Sequence, residues 1–261
     1  MMIDNNLFWL LICGHFIGDF YFQTLKMAMD KKEEKRPLYL HALIYALTVF
    51  LTISPVLNLK LFIVVFLPVV ISHFLIDFIK TRVNIEINKE NFIFRNIFIV
   101  DQILHSAMIV IFASIYVNSN AIDLNQFGKM LLLFYNNLGM SIDPSVFLRF
   151  IFVFLIIGKP ANILIKEINN KENIWPNNTN SEEKAPEYKN AGKLIGILER
   201  ILIVILVLLN QYAAVGLIFA AKSLTRYNKI IKEPSFAEYY LVGTLLSLLI
   251  AIGAVLIIQP V

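Results

Sequence analysis

Three pairs of ionisable residues stand four positions apart in this chain: His15 with Asp19, His73 with Asp77, and Asp101 with His105. The remaining histidine, His41, follows a leucine and precedes an alanine, as His105 follows Leu104 and precedes Ser106. Residues four apart share one face of a helix, so each pair presents an imidazole beside a carboxylate. Those two groups are the ligands of zinc and similar divalent metals. They are also the parts of an intramembrane proton or ion relay. His15, His41, His73, His105, Asp19, Asp77 and Asp101 are therefore the candidate ligands of one metal or a pair. A bound metal lowers the pKa of its water to about 7, and Asp19, Asp77 or Asp101 would then serve as general base. Gln23 continues the face of the first pair and Lys80 that of the third. Gln23, Lys80 and Arg82 are the candidate substrate contacts, the two cations suiting an anionic group such as a lipid phosphate. Anchoring at lipid headgroups is the competing role for those cations.

The elements that must carry these residues are long and apolar. The 261 residues are 58% hydrophobic with a mean hydropathy of +0.69, and the excess falls in runs. Runs of about 18 or more apolar residues match a bilayer core of about 30 Å. Backbone groups there must be satisfied internally, which predicts helices. The expected fold is all-α, a polytopic transmembrane bundle of about eight spans at 6–25, 38–57, 60–82, 95–117, 145–168, 193–211, 212–226 and 236–259. The seventh is short enough to be re-entrant. Segment 124–138 is amphipathic and suits an interface. The first run lacks a preceding Lys or Arg and a following small-residue cleavage motif, so it is expected to be retained as a span.

Charge sets the orientation. Nineteen basic residues fall in alternate loops on one side, and only Lys60 and Lys129 on the other. The positive-inside rule places the basic loops in the cytoplasm and both termini outside. The net charge of +4 is thus explained by topology rather than by nucleic acid, which is not an expected partner. On this placement His15, His73 and His105 lie roughly 15 Å deep and the three aspartates roughly 8 Å, at 1.5 Å per helical residue. Helix four runs opposite to helices one and three, and its D-x-x-x-H motif is reversed to match. HFIGDF at 15–20 echoes HFLIDF at 73–78. The echo implies a duplicated helix pair, one–two and three–four, forming a site where the repeats meet.

The polar stretch 169–191 is expected to be a cytoplasmic linker between a membrane domain at 1–168 and another at 192–261. Its Asn177 sequon would not be glycosylated on that side. Cys13, the lone cysteine, is expected to be a small buried hydrophobe. In the C-terminal part, Gly192 and Gly196 form G-x-x-x-G, and Gly243 and Ser247 also suit close packing. Glu199, Arg200, Lys222, Arg226 and Glu238 suggest a structural ion-pair network.

The set H-F-I-G-D-F-x-x-Q (15–23), L-H-A (40–42), H-F-L-I-D-F-I-K (73–80) and D-Q-x-L-H (101–105) resembles the bacterial membrane family called domain of unknown function 3307. The later runs G-K-L-I-G-I-L-E-R, A-K-S-L-T-R and E-Y-Y-L-V-G-T-L-L-S are similar to the C-terminal half of its longer members. The resemblance implies a bacterial inner-membrane protein and carries no established reaction. The leading expectation is a metal site, with zinc as first candidate, open to the cytoplasmic leaflet. It would serve hydrolysis of a membrane-embedded or amphipathic ester or phosphate. An ion- or proton-coupled transporter, and a non-catalytic assembly or immunity factor, are the rivals. The bilayer is the one partner the sequence specifies; oligomeric state is open.

Overall fold

The computed structural model describes residues 4–31, 34–82, 97–139, 142–171 and 186–258. The described residues are helical and include no strand. In chain order the helices are α1 (Asp4–Phe16, continued by a wider π-helical turn, Ile17–Phe22), α2 (Leu25–Asp30), α3 (Lys35–Ile53) and α4 (Leu59–Arg82). Then follow α5 (Ile97–Val117), α6 (Gln126–Asn137), α7 (Pro144–Ile157), α8 (Lys159–Lys171), α9 (Pro186–Leu208), α10 (Tyr212–Lys232) and α11 (Pro234–Ile258).

Among the described residues five stretches are long and apolar enough to cross a membrane: α3, α4, α5, the combined α7–α8 stretch Pro144–Asn169, and α11. The chain packs as two compact units, Met1–Phe152 and Val153–Val261. Residues 172–185 of the expected linker, and the loop residues Lys89 and Arg95, lie outside the described residues.

Several elements differ from expectation. The first helix does not run to residue 25. It ends at Phe22, and Thr24 accepts from the Met27 amide to start the short α2. The fifth is interrupted at Gly158, because Pro160 has no N–H to donate and its ring crowds the carbonyl four residues back. The sixth begins at Pro186, ahead of the expected 193, and the seventh is a full 21-residue helix to Lys232.

In the N-terminal unit α1 packs on α3 and α5, and α4 also packs on α3 and α5, closing a ring of four helices. α4 shows the principle of the ring. Leu61, Val65, Val69, His73 and Asp77, every fourth residue, are buried. Ile63, Leu67, Ile71, Leu75 and Ile79 form a parallel exposed stripe. The ionisable groups thus face inward and the apolar ones outward. That is the reverse of a water-soluble helix and the arrangement lipid demands.

Candidate metal centre

The ring closes tightly on one side because α1 carries Gly14 and Gly18. A Cβ at Gly14 would stand 2.5 Å from Thr52 Oγ1 and 3.1 Å from Val49 Cα. At Gly18 it would stand 2.8 Å from Thr48 Oγ1 and 3.0 Å from the Tyr45 ring. Small residues spaced in this way let two backbones approach, and they bring Asp19 of α1 against His41 of α3. Asp19 itself sits in the π-helical turn, a feature that recurs at functional sites. Gln23 N–H closes the turn on Gly18 O at 3.2 Å.

All four histidines and Asp77 and Asp101 are buried, and 8% of the Asp19 side chain is exposed. Two pairs keep the contact that their spacing predicts: His15 Nε2 is 3.9 Å from Asp19 Oδ2, and His105 Nε2 is 3.4 Å from Asp101 Oδ1. His73 and Asp77 turn to other helices. His73 Nε2 bonds Asp19 Oδ1 at 2.9 Å. Asp77 lies 3.4 Å from His41 Nε2 and 3.9 Å from His105 Nε2. His41 Nε2 also stands 3.3 Å from Asp19 Oδ1. The rings are held by stacking. His73 lies between Tyr45, centroids 3.5 Å apart, and His105, centroids 4.1 Å apart.

Four further side chains complete the cluster, and sequence reasoning assigned a site role to two of them, Lys80 and Gln23. Lys80 Nζ bonds Asp101 Oδ2 at 2.7 Å. Lys31, expected to be one of the loop charges that set orientation, is buried and bonds Asp77 Oδ2 at 2.6 Å. Gln23, with its amide oxygen facing that ammonium, accepts from Lys31 Nζ at 3.0 Å. Gln102 links two helices: its Nε2 donates to Asp19 Oδ2 and to Asp101 Oδ2, both at 3.3 Å, and its Oε1 lies 3.3 Å from His15 Nε2. The D-Q-x-L-H motif contains Gln102, which is the signal that could have found it. Arg82 does not join the cluster; its guanidinium lies over the Phe78 ring at 5.1 Å.

Among the described residues three groups bring ligand atoms within 4.8 Å of one another: His15–Asp19–His73, His41–His73–Asp77 and Asp77–Asp101–His105. Ligands about 2.0–2.1 Å from a tetrahedral zinc are about 3.3 Å apart. The third group fits that spacing best in one respect. Its Asp101 Oδ1 and His105 Nε2 are buried without a hydrogen-bond partner. They are 3.4 Å apart, with Asp77 Oδ1 3.9 Å from the same nitrogen. In that group Lys31 and Lys80 hold the other oxygen of each aspartate, as outer residues orient metal-binding carboxylates elsewhere.

The C-terminal unit holds a second buried polar group. Glu199 and Lys222 pair at 2.6 Å. Arg200 is wholly buried and donates to Ile157 O at 2.6 Å, Gly158 O at 3.4 Å and Asn162 Oδ1 at 2.7 Å. It thus binds carbonyls at the break between α7 and α8. Of the expected packing glycines, Gly196 has neighbours within 4 Å of a Cβ, whereas Gly192 has none. Arg226 and Glu238 are exposed, and Cys13 is buried.

The fold and site define an all-helical protein whose long apolar helices enclose a cluster of histidine, aspartate and lysine. Residues 7–133, which span the ring and its cluster, match the family model described as protein of unknown function (DUF3307). No curated protein matches the chain, and no solved structure does.

Proposed function

We propose that this is an integral membrane protein that holds one divalent metal, zinc as first candidate, at Asp77, Asp101 and His105. We further propose that it is a metal-dependent hydrolase of a membrane-embedded ester or phosphate. The observation that carries the metal is the unpartnered pair His105 Nε2 and Asp101 Oδ1. Leaving such groups buried and unsatisfied is costly, and a cation between them removes the cost. When bound, the metal supplies a Lewis acid and a water of lowered pKa. The chain's own residues do the rest. Lys31 and Lys80 hold the outer oxygens of Asp77 and Asp101 and so aim their other oxygens at the metal. Asp19, within reach of His41, His73 and Gln102, is placed to accept the proton of the attacking water, with His73 holding its carboxylate in position.

Eight spans, with α1, α9 and α10 crossing beside the five longer or more apolar stretches, accord with the alternating loop charge. That topology puts the site towards the cytoplasmic face of a bacterial inner membrane. A duplicated helix pair accounts for the echo between His15–Phe20 and His73–Phe78, and is supported by the neighbouring pairs α1–α3 and α4–α5.

A second reading is a proton- or ion-coupled carrier. It is supported by the triangle of imidazoles His15, His73 and His105, with centroids 5.7, 5.4 and 4.1 Å apart, and by the direct His73–Asp19 bond. Elemental analysis of the detergent-purified protein separates the two. The metal reading expects about one zinc, manganese or iron per chain, lost in His105→Ala and retained in His15→Ala, because these sites usually hold one ion through a specific ligand set. Loss in both variants, or in His15→Ala alone, moves the ion to the Asp19 group. Absence of metal from the wild type, even when metal is supplied during expression, rejects the hydrolase and leaves the carrier.

A further inference from the structure

The metal reading leaves the substrate's charge open, and the two lysines of the cluster close that question. This inference rests on that reading. Asp19, Asp77 and Asp101 bring three carboxylates into one cluster, and Lys31 and Lys80 bring two ammonium groups within 2.6 and 2.7 Å of two of them. Neutral imidazoles are the metal-binding form. The cluster alone then carries one net negative charge, and a divalent metal makes it one net positive charge. Charge imbalance in a medium of low dielectric is costly. The loaded site is therefore completed by a partner bearing one negative charge. A neutral ester leaves the excess in place, and a phosphate dianion overshoots it.

The polar surroundings narrow the chemistry. Lys31 is enclosed, with 7% of its side chain exposed, and its ammonium is engaged by Asp77 and Gln23. Lys80 has 35% of its side chain exposed, and an ammonium carries three donors of which Asp101 takes one. Arg82, one residue past Thr81, is turned to Phe78 and adds nothing to the balance. We propose that the site takes a singly charged phosphodiester, bound through one unesterified oxygen to Lys80, with Lys31 acting as the fixed counter-cation. A lipid headgroup and a soluble phosphodiester share that chemistry.

The test is the coupling between metal and anion, since two ligands that favour one another must do so reciprocally. Zinc is titrated calorimetrically into the full-length protein in neutral detergent, alone and with diethyl phosphate, trimethyl phosphate or inorganic phosphate. The same titration is made in nanodiscs of phosphatidylglycerol and of phosphatidylcholine. The expected result is zinc affinity tightened about fivefold or more, a typical coupling, by diethyl phosphate or by phosphatidylglycerol. Trimethyl phosphate should have no effect, and inorganic phosphate less than the diester. In Lys80→Gln zinc should still bind and the coupling should vanish. Coupling to soluble diester identifies a soluble source, and coupling confined to phosphatidylglycerol identifies the lipid. Zinc uptake with no coupling in either medium, or coupling that persists in Lys80→Gln, overturns this inference alone. No zinc uptake in the absence of anion overturns the metal reading and this inference together.

Discussion

Two buried polar groups among the described residues differ in what their unpartnered atoms could bind. In the C-terminal unit Glu199 pairs with Lys222 and its buried oxygens are otherwise without a hydrogen bond, while Arg200 donates to two backbone carbonyls, Asn162 and Ser247. Those carbonyls lie at the helix break beside Pro160, so Arg200 braces the chain where the helix is interrupted. In the N-terminal unit three carboxylates meet two lysines, and two facing ligand atoms stand 3.4 Å apart without a bond. Both groups are ionisable, buried and carried on apolar helices. The lesson is that neither burial of charge nor a single unpartnered carboxylate marks a metal site; a carboxylate oxygen and an imidazole nitrogen facing one another at ligand spacing set the N-terminal group apart. A lone buried ion pair is weak evidence for anything beyond structure.

The sharpest way to break this contrast is Arg200→Ala. If Arg200 is a structural staple, its loss should cost about 3–5 kcal/mol, the usual effect of breaking a buried charged network. It should appear as a large fall in the thermal midpoint in detergent, with metal per folded chain unchanged. A variant as stable as the wild type, or one folded but altered in metal content, would erase the distinction between the two groups.

A smaller effect is expected at the glycine contact that builds the first group. Gly14→Ala places a methyl against Thr52 Oγ1 and Val49 Cα. Overpacking of this kind costs about 1–3 kcal/mol. Thr52→Ala in the same chain should recover part of the stability, since it removes the nearer atom, 2.5 Å away. Gly192→Ala is the control, because nothing lies within 4 Å of its Cβ position and the change should be neutral or slightly favourable. Equal effects at Gly14 and Gly192 would mean that the α1–α3 approach is not what fixes the cluster.

The smallest effect concerns Asp143, just ahead of α7. Its Oδ1 accepts from the Ser145 backbone N–H at 2.7 Å and from the Ser145 hydroxyl. Those bonds hold its carboxyl below the usual carboxylate range. Because the folded value is the lower one, the stabilisation is present above the unfolded value and is lost as pH falls through the folded one. Asp143→Ala should cost about 1 kcal/mol near neutral pH, the ordinary worth of such a cap. The difference from wild type should shrink on acidification, and thermal midpoints across pH 2–7 check it. A difference that grows in acid would reverse the assignment.

Much of this was legible from spacing alone. A four-residue period of ionisable groups within apolar runs names the inward face of α1, α4 and α5, and the reversed motif of α5 follows from its direction. What was not legible depends on neighbours distant in sequence. Lys31 sits among other basic residues of a polar segment, where composition makes it an orientation signal; only the fold shows that it reaches Asp77. His73 shares a face with Asp77 yet bonds Asp19, since a face fixes where a side chain points and not which helix stands opposite. Two G-x-x-x-G runs look alike on paper. Gly14–Gly18 meets a partner helix at sub-contact distance, whereas Gly192 meets open space, because spacing permits an approach without supplying the partner. The expected span 145–168 ran across Pro160, and neither the helix break at Gly158 nor its bracing by Arg200 was read from the sequence.

Gly139, at the end of α6, takes a backbone φ of +70°, and nothing lies within 4 Å of its Cβ position. Asn136 O caps its amide, and the α6 it follows is fastened at its other end, where Asn125 bonds the carbonyls of Ser54 and Leu57. This is a natural place to graft a reporter. An epitope inserted after Leu138 would ride on an anchored helix without displacing a neighbour. Its accessibility to antibody in intact spheroplasts, against permeabilised ones, would read directly which side of the bilayer the α5–α7 connection faces.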